Sequence, residues 1–291
     1  MQKRQRLEDL NVLDDFMLNA IANDPDVGEA FFCEVLSVLL ERDIGEITIK
    51  AQSVIPGDTP ELRGVRLDVE IQEQDNSPAK CRLYNMEAQT YTGENLQKRS
   101  RYYQAKKDSK RLKSGEKNWD KLPDLYMIMI TTFDPFGKGG MIYTFENTCK
   151  EYPDVENKDG LKYIYFNTTG TKGGTESIKQ LLSYLKHSKI ENVTNEKISH
   201  IHDYVEAVKQ SAEVRDRYMT IGEMLDASRE DGKAQGKKIG RINSLLEILS
   251  DFGEIPEEIK KQFYEADEDM LKRWLKLAAR ASSLVEFVDK M

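Results

Sequence analysis

The sequence predicts an α/β chain: a sheet flanked by helices over residues 1–188, followed by a helical C-terminal region over 189–291. Three observations lead there. Two runs alternate apolar and polar residues, GVRLDVEIQE (Gly64 to Glu73) and CRLYNMEAQTY (Cys81 to Tyr91), with the turn-rich QDNSPAK between them. A basic helical stretch is followed by LPDLYMIMITTFDPF (Leu122 to Phe136), whose unbroken apolar run suits a buried strand. After about residue 190 the composition turns charged and helix-favouring.

Taken in order, residues 7 to about 42 read as two helical pieces. Asp14 and Asp15 can cap and charge the start of the first, which carries Phe16, Met17, Leu18 and Ile21. NDPD (Asn23 to Asp26) breaks it, and Phe31, Phe32, Val35, Leu36, Leu39 and Leu40 give a second helix at amphipathic spacing, interrupted by Glu34. Glu46 to Val54 predicts a strand. Asn95 to about Lys113 predicts a helix, with Tyr102 and Tyr103 packing inward. GKGG is a loop, MIYTFEN starts another sheet edge, and Lys162 to Thr168 is a further strand. TGTKGG lacks the GK[ST] ending and the helix context of a phosphate loop. Glu176 to His187 is a helix.

Ile190 to Phe252 is strongly helical, with Gly232, Gly236 and Gly240 four residues apart. The stretch is too polar for a membrane, which leaves a flexible or closely packed helix. Pro256 opens a last helical unit. Within it Asp269 to Leu284 shows an apolar face of Leu271, Trp274, Leu275 and Leu277, suited to packing or dimer contact.

The two alternating runs carry the chemistry. If they fold back symmetrically about Ser77 and Pro78, Asp68 falls opposite Glu87. Gln89 then shares a face with Glu87, roughly 6.6 Å further along. Arg66, Asp68, Glu70 and Gln72 would meet Leu83, Asn85, Glu87 and Gln89. Two readings of that face stand. It is the wet side of an ordinary hairpin, or it is a place where facing carboxylates hold a hard divalent cation that relieves their repulsion.

The bulk numbers limit the alternatives. A chain of 291 residues buries a core without disulfides. Cys33, Cys81 and Cys149 are isolated and odd in number, which argues against structural zinc and suits a reducing, cytoplasmic setting. The N-terminal stretch lacks the apolar segment of a secretory signal, and no run approaches a membrane span. The net charge of -8 argues against general polyanion binding. Locally the balance reverses: from Lys98 to Lys121 ten basic residues face three acids, a charge of +7, directly after the Glu-x-Gln strand. Such a cluster can meet phosphates; it also fits a solvated helix face. The only histidines, His187, His200 and His202, lie late in the chain, which disfavours Ser/His/Asp chemistry and a histidine-metal nuclease.

DDFML (Asp14 to Leu18), VRLDV (Val65 to Val69), YNMEAQ (Tyr84 to Gln89), KRSRYYQ (Lys98 to Gln104) and FDPFGKGGMIYTFEN (Phe133 to Asn147) occur in the order found in a bacterial family. Over roughly residues 8 to 187 the chain resembles the recombination-promoting nuclease and transposase-like family, a branch of the PD-(D/E)XK nuclease superfamily. The resemblance implies a restriction-endonuclease-like mixed sheet flanked by helices, with the active site where central strands diverge. It matches Asp68 to the acid of the first core strand and Glu87 to the acid of the D/E-x-K element. Gln89 stands where most of the superfamily has Lys, although Glu-x-Gln is usual in this branch. An early helix often adds an acid; Glu34 is the first candidate and Asp15 the second.

The resemblance therefore implies metal-dependent, weakly sequence-specific DNA endonuclease activity that promotes recombination. Asp68 and Glu87 would hold Mg²⁺, or Mn²⁺ or Ca²⁺, and Gln89 would orient a water. Arg99 and Arg101 would contact phosphate, and Lys106 and Lys107 would track the DNA backbone. The rival readings are a non-catalytic nuclease-fold module that binds nucleic acid or protein, and a scaffold that dimerises through the C-terminal helices.

Overall fold

The computed structural model describes residues 5–52, 54–55, 65–66, 68–74, 81–92, 95–112 and 114–291. Gly64 and turn residues 75–80, on which the hairpin expectation rests, lie outside the described residues.

Eight strands and nine α-helices are described. The strands are β1 (Ile47–Ala51), β2 (Val54–Ile55), β3 (Val65–Arg66), β4 (Val69–Glu73), β5 (Arg82–Gln89), β6 (Asp124–Thr131), β7 (Ile142–Phe145) and β8 (Leu161–Asn167). Six of them form one mixed sheet in the order β1-β4-β5-β6-β8-β7. β2 and β3 pair separately. The expected strand Gly64 to Glu73 is therefore divided, and Asp68 sits immediately before β4.

Strands β1, β4 and β5 are antiparallel, and β5, β6 and β8 run parallel. Parallel neighbours need a crossover. The first is α3 (Leu96–Ser109), whose start is fixed by Asn95 accepting from the Lys98 N–H at 2.9 Å. The centre of the sheet is sealed: from Leu83 to Gln89, every residue of β5 is buried. This explains why β6 reads as an unbroken apolar run.

α1 (Asp15–Ala22) and α2 (Gly28–Leu39) follow the sequence expectation closely. Asp14 takes the cap position of α1, but its carboxylate turns back to the Asn11 N–H at 2.7 Å instead of capping the helix. α2 buries Phe31, Phe32, Val35, Leu36 and Leu39, and each such side chain contributes about 1.5–3 kcal/mol of apolar burial. α4 (Glu176–Lys186) and α5 (Glu196–Gln210) pack on α2, α5 burying Ile198, Ile201, Val205 and Val208.

Packing divides the chain after Asp216. α5, which composition assigns to the helical C-terminal region, belongs to the first unit because its apolar stripe closes over α1 and α2. The second unit, Arg217–Met291, contains most of α6 (Ala212–Ser250) with α7 (Glu257–Glu265), α8 (Glu268–Ala278) and α9 (Leu284–Lys290). Its core joins Ile242, Leu245, Leu249, Phe263, Leu271, Trp274 and Phe287. The single helix expected over Asp269 to Leu284 is broken, since Ser283 caps α9 through the Glu286 N–H. Among the described residues, added Cβ atoms at Gly232, Gly236 and Gly240 would meet nothing within 4 Å, so these glycines do not serve close packing there.

Candidate active site

Register positions the two acids. Val69 pairs with Met86 across β4 and β5, so one step further along the ladder brings Asp68 to Glu87. The expected reversal between Ser77 and Pro78 gives the same pairing. The Asp68 N–H donates to Glu87 Oε1 at 3.1 Å, and the Ala88 N–H donates to Asp68 Oδ2 at 3.1 Å. The Asp68 carbonyl accepts from the Gln52 N–H at 2.8 Å, which ties the acid to the end of β1.

The wet hairpin face is not present. Asn85 and Glu87 are fully buried, and Gln89 is 1% exposed. The cause is α3, which lays a stripe of side chains four residues apart over this face. Arg99 pairs with Glu87 at 3.0 Å, and its other terminal nitrogen donates to Gln89 Oε1 at 2.8 Å. Arg99 Nε donates to the Tyr103 hydroxyl at 3.0 Å. One turn on, Lys107 lies 3.0 Å from Glu70, and Arg111 reaches the other oxygen of Glu70 at 3.0 Å. The alternation that suggested a solvated strand is a buried polar layer, acidic on the sheet and basic on the helix.

This splits the basic run in two. Arg99, Lys107 and Arg111 point inward and neutralise carboxylates. Lys98, Arg101 and Lys110 are exposed, and Lys106 is half-buried. Lys107, expected to track a DNA backbone, is 2% exposed and faces Glu70, so that contact is closed to it. Tyr102, expected in the core, is exposed, and Tyr103 takes the inward position.

Electrostatics single out Glu87. Burial raises its pKa first and the Asp68 charge adds to that; Arg99 opposes both, and the balance lies at about 7. Its Oε1 also accepts from Asn85 Nδ2 at 3.2 Å, and the buried Asn85 Oδ1 has no hydrogen-bond partner among the described residues. A carboxylate held near neutrality beside a second carboxylate is a group that a divalent cation would deprotonate and bind. Among the described residues no three His, Cys, Asp or Glu side chains cluster as a metal cage.

A cleft of about 210 Å³ opens on this place, lined by Asp15, Leu18, Asn19, Gln52, Asp68 and Arg99. Of the two early-helix acids, Asp15 shares the cleft with Asp68. Glu34 is instead turned to His200 on α5, at 3.1 Å. Sequence reasoning missed Gln52, and it gave Asn85 a place on the polar face and Tyr103 an inward direction without a role at the site. For Tyr103 the signal of that role was the four-residue spacing of Arg99, Tyr103, Lys107 and Arg111.

A family model described as PD-(D/E)XK nuclease family transposase matches residues 24–229, which spans both core acids and the mixed sheet around them. The chain belongs to this family. A PD-(D/E)XK nuclease family transposase is expected to have nuclease-type chemistry, and the mixed six-stranded sheet with flanking helices agrees with the fold. The matched span holds Asp68, Glu87, Gln89 and Arg99; Asp15 lies before it. No curated protein and no solved structure matches the chain. Among the described residues no helix is long and apolar enough to cross a membrane.

Proposed function

We propose that the protein is a divalent-metal-dependent DNA endonuclease that hydrolyses phosphodiester bonds with little sequence preference and promotes recombination. The observation that carries this reading is the meeting of Asp68 and Glu87, each bonded to the other's strand, with Asp68 and Arg99 lining the cleft and Glu87 buried behind them.

Asp68 and Glu87 would hold the cation, and Asp15 lines the same cleft as Asp68. Bound Mg²⁺, or Mn²⁺ or Ca²⁺ in its place, would supply Lewis acidity toward the phosphoryl oxygen and a more acidic water. The rest falls to the chain. Burial of Glu87 excludes bulk water from one side of the acid pair. Gln89 gives one N–H to the Tyr91 carbonyl and one lone pair to Arg99, leaving one of each for a water. The exposed Lys98 and Arg101, with Lys106 beside them, suit a DNA backbone approaching along the outer side of α3. Hydrolysis consumes one water and yields one phosphate end and one hydroxyl end.

A second reading is a nuclease-fold module that binds nucleic acid or protein without cutting. It is favoured by one observation, that Gln89 cannot supply the charge of the usual Lys. Incubating supercoiled and linear DNA with the protein in Mg²⁺, Mn²⁺ or Ca²⁺ separates the two. Metal-dependent nicking supports the nuclease; binding without cleavage in all three supports the module. We further place the protein in the cytoplasm, where its three cysteines stay reduced. Residues 189–291 are proposed as the homodimer contact, which sedimentation of the full chain tests.

A further inference from the structure

The D/E-x-K element normally delivers a positive charge two residues after its acid, on the same strand. Here that position is Gln89. We propose that Arg99, entering from α3, supplies the missing charge, and that Gln89 is the positioning residue that holds the guanidinium in place. This rests on the nuclease reading above and adds to it the location of the cation that the strand has lost.

Four observations carry it. Arg99 places one terminal nitrogen 3.0 Å from Glu87 Oε2 and the other 2.8 Å from Gln89 Oε1, so the guanidinium bridges the acid and the residue in the lysine position. Gln89 is itself anchored, its amide nitrogen donating to the Tyr91 carbonyl at 2.8 Å. That bond orients its oxygen as the acceptor for Arg99. The third nitrogen, Nε, donates to the Tyr103 hydroxyl at 3.0 Å, with the guanidinium carbon 5.2 Å from the Tyr103 ring centroid. Finally, Arg99 lines the cleft beside Asp68, so the charge is presented where substrate would enter.

The chemistry fits an arginine. A lysine side chain on β5 in place of Gln89 could reach the acid from its own strand, and it could lose its proton in a buried site. A guanidinium stays charged at any working pH and has five N–H donors, enough to hold Glu87, Gln89 and Tyr103 at once. Its role is electrostatic: it steadies charge that grows on the phosphate and does not take a proton from the attacking water. Gln in place of Lys is then a matched exchange. The strand gives up a cation and gains the acceptor that a cation from the helix requires.

The test moves the charge back. Wild type, Arg99→Ala, Arg99→Lys and the double variant Gln89→Lys/Arg99→Ala are compared on supercoiled plasmid in Mg²⁺ and Mn²⁺. Arg99→Ala is expected to lower kcat by about 10²-fold, with KM for DNA changed by less than about threefold. Arg99→Lys is expected to keep part of the rate. The double variant is expected to regain at least about tenfold over Arg99→Ala, because the introduced ammonium restores the charge beside Glu87.

A second arm needs no turnover. Mn²⁺ affinity of the folded proteins, measured by calorimetry, should be several-fold tighter for Arg99→Ala than for wild type, since a neighbouring positive charge is gone. It should return toward wild type in the double variant. The proposal is overturned if Arg99→Ala cuts at the wild-type kcat, if it changes KM alone, or if the double variant matches Arg99→Ala in both arms. Failure of wild type to nick in either metal would sink the nuclease reading instead. The Mn²⁺ arm would then still decide whether charges at positions 99 and 89 are interchangeable.

Discussion

Arg99 and Glu87 face each other at 3.0 Å across the seam between α3 and β5, and Glu87 has no exposed surface. The pair joins the helix that carries the basic run to the strand that carries the acid. A buried carboxylate with an acidic neighbour is costly to ionise, and Arg99 relieves only part of that cost.

The first prediction concerns pH. The carboxyl of Glu87 lies at about 7 in the folded protein, against an ordinary value of 4.5, because burial and Asp68 outweigh Arg99. The folded state therefore binds more protons than the unfolded state between these values. Stability should fall as pH rises from about 4.5 to 7. Urea midpoints at pH 5 and pH 7.5 should differ in this direction for wild type, and less for Glu87→Gln. Divalent metal at pH 7.5 should restore part of the loss for wild type alone.

Glu73, at the far end of β4, behaves oppositely. Burial pushes its pKa up, but Arg42, the Gly45 N–H and the Tyr84 hydroxyl overcome this and hold it at about 2. Its contribution is complete above the ordinary value of 4.5 and is lost as pH falls toward 2. Arg42→Ala leaves a nearly buried carboxylate without its main partner and should cost about 3 kcal/mol at pH 7. Denaturant unfolding checks this; a loss below about 0.5 kcal/mol would place the pair among inert surface bridges.

Lys107 and Arg101 separate structural from DNA-contacting charge. Lys107→Ala should lower the melting temperature, because Glu70 loses an inward partner, while DNA affinity falls little. Arg101→Ala should leave melting unchanged, weaken DNA binding across sequences and reduce the salt slope by about one unit. Binding isotherms at several salt concentrations, with thermal melts, read both. A salt slope that shifts for Lys107→Ala and not for Arg101→Ala would reverse the assignment.

The sequence made the strand pairing legible and hid what covers it. Asp68 and Glu87 could be aligned because alternation and a turn-rich spacer leave one sensible register. The same alternation suggested solvent, since polar residues on one strand face normally meet water; only the docking of α3 reverses that. Sequence puts Glu34 first and Asp15 second as the early acid, with neither helix's rotation fixed. Helix rotation decides between such acids, and it turned Glu34 to His200 and Asp15 to the cleft. Gln89 looked like a deficit because its partner comes from ten residues further on.

Glycines give a contrast in stability. Gly170 lies against the backbone of Gly140, where an added Cβ would collide with the carbonyl oxygen, and neither backbone segment can yield cheaply. Gly170→Ala should destabilise by about 2 kcal/mol or more. Gly236→Ala, in open space on α6, should stabilise by up to about 1 kcal/mol. Should Gly236→Ala instead weaken self-association in sedimentation, α6 meets a second chain closely at that position.

The most direct test of the cation site is plasmid nicking by wild type, Asp68→Ala and Glu87→Ala in Mg²⁺, with melting curves to confirm folding. A cation held between these two acids predicts nicking by wild type and its loss in both variants while each still melts cooperatively. Unchanged nicking by both folded variants would contradict it.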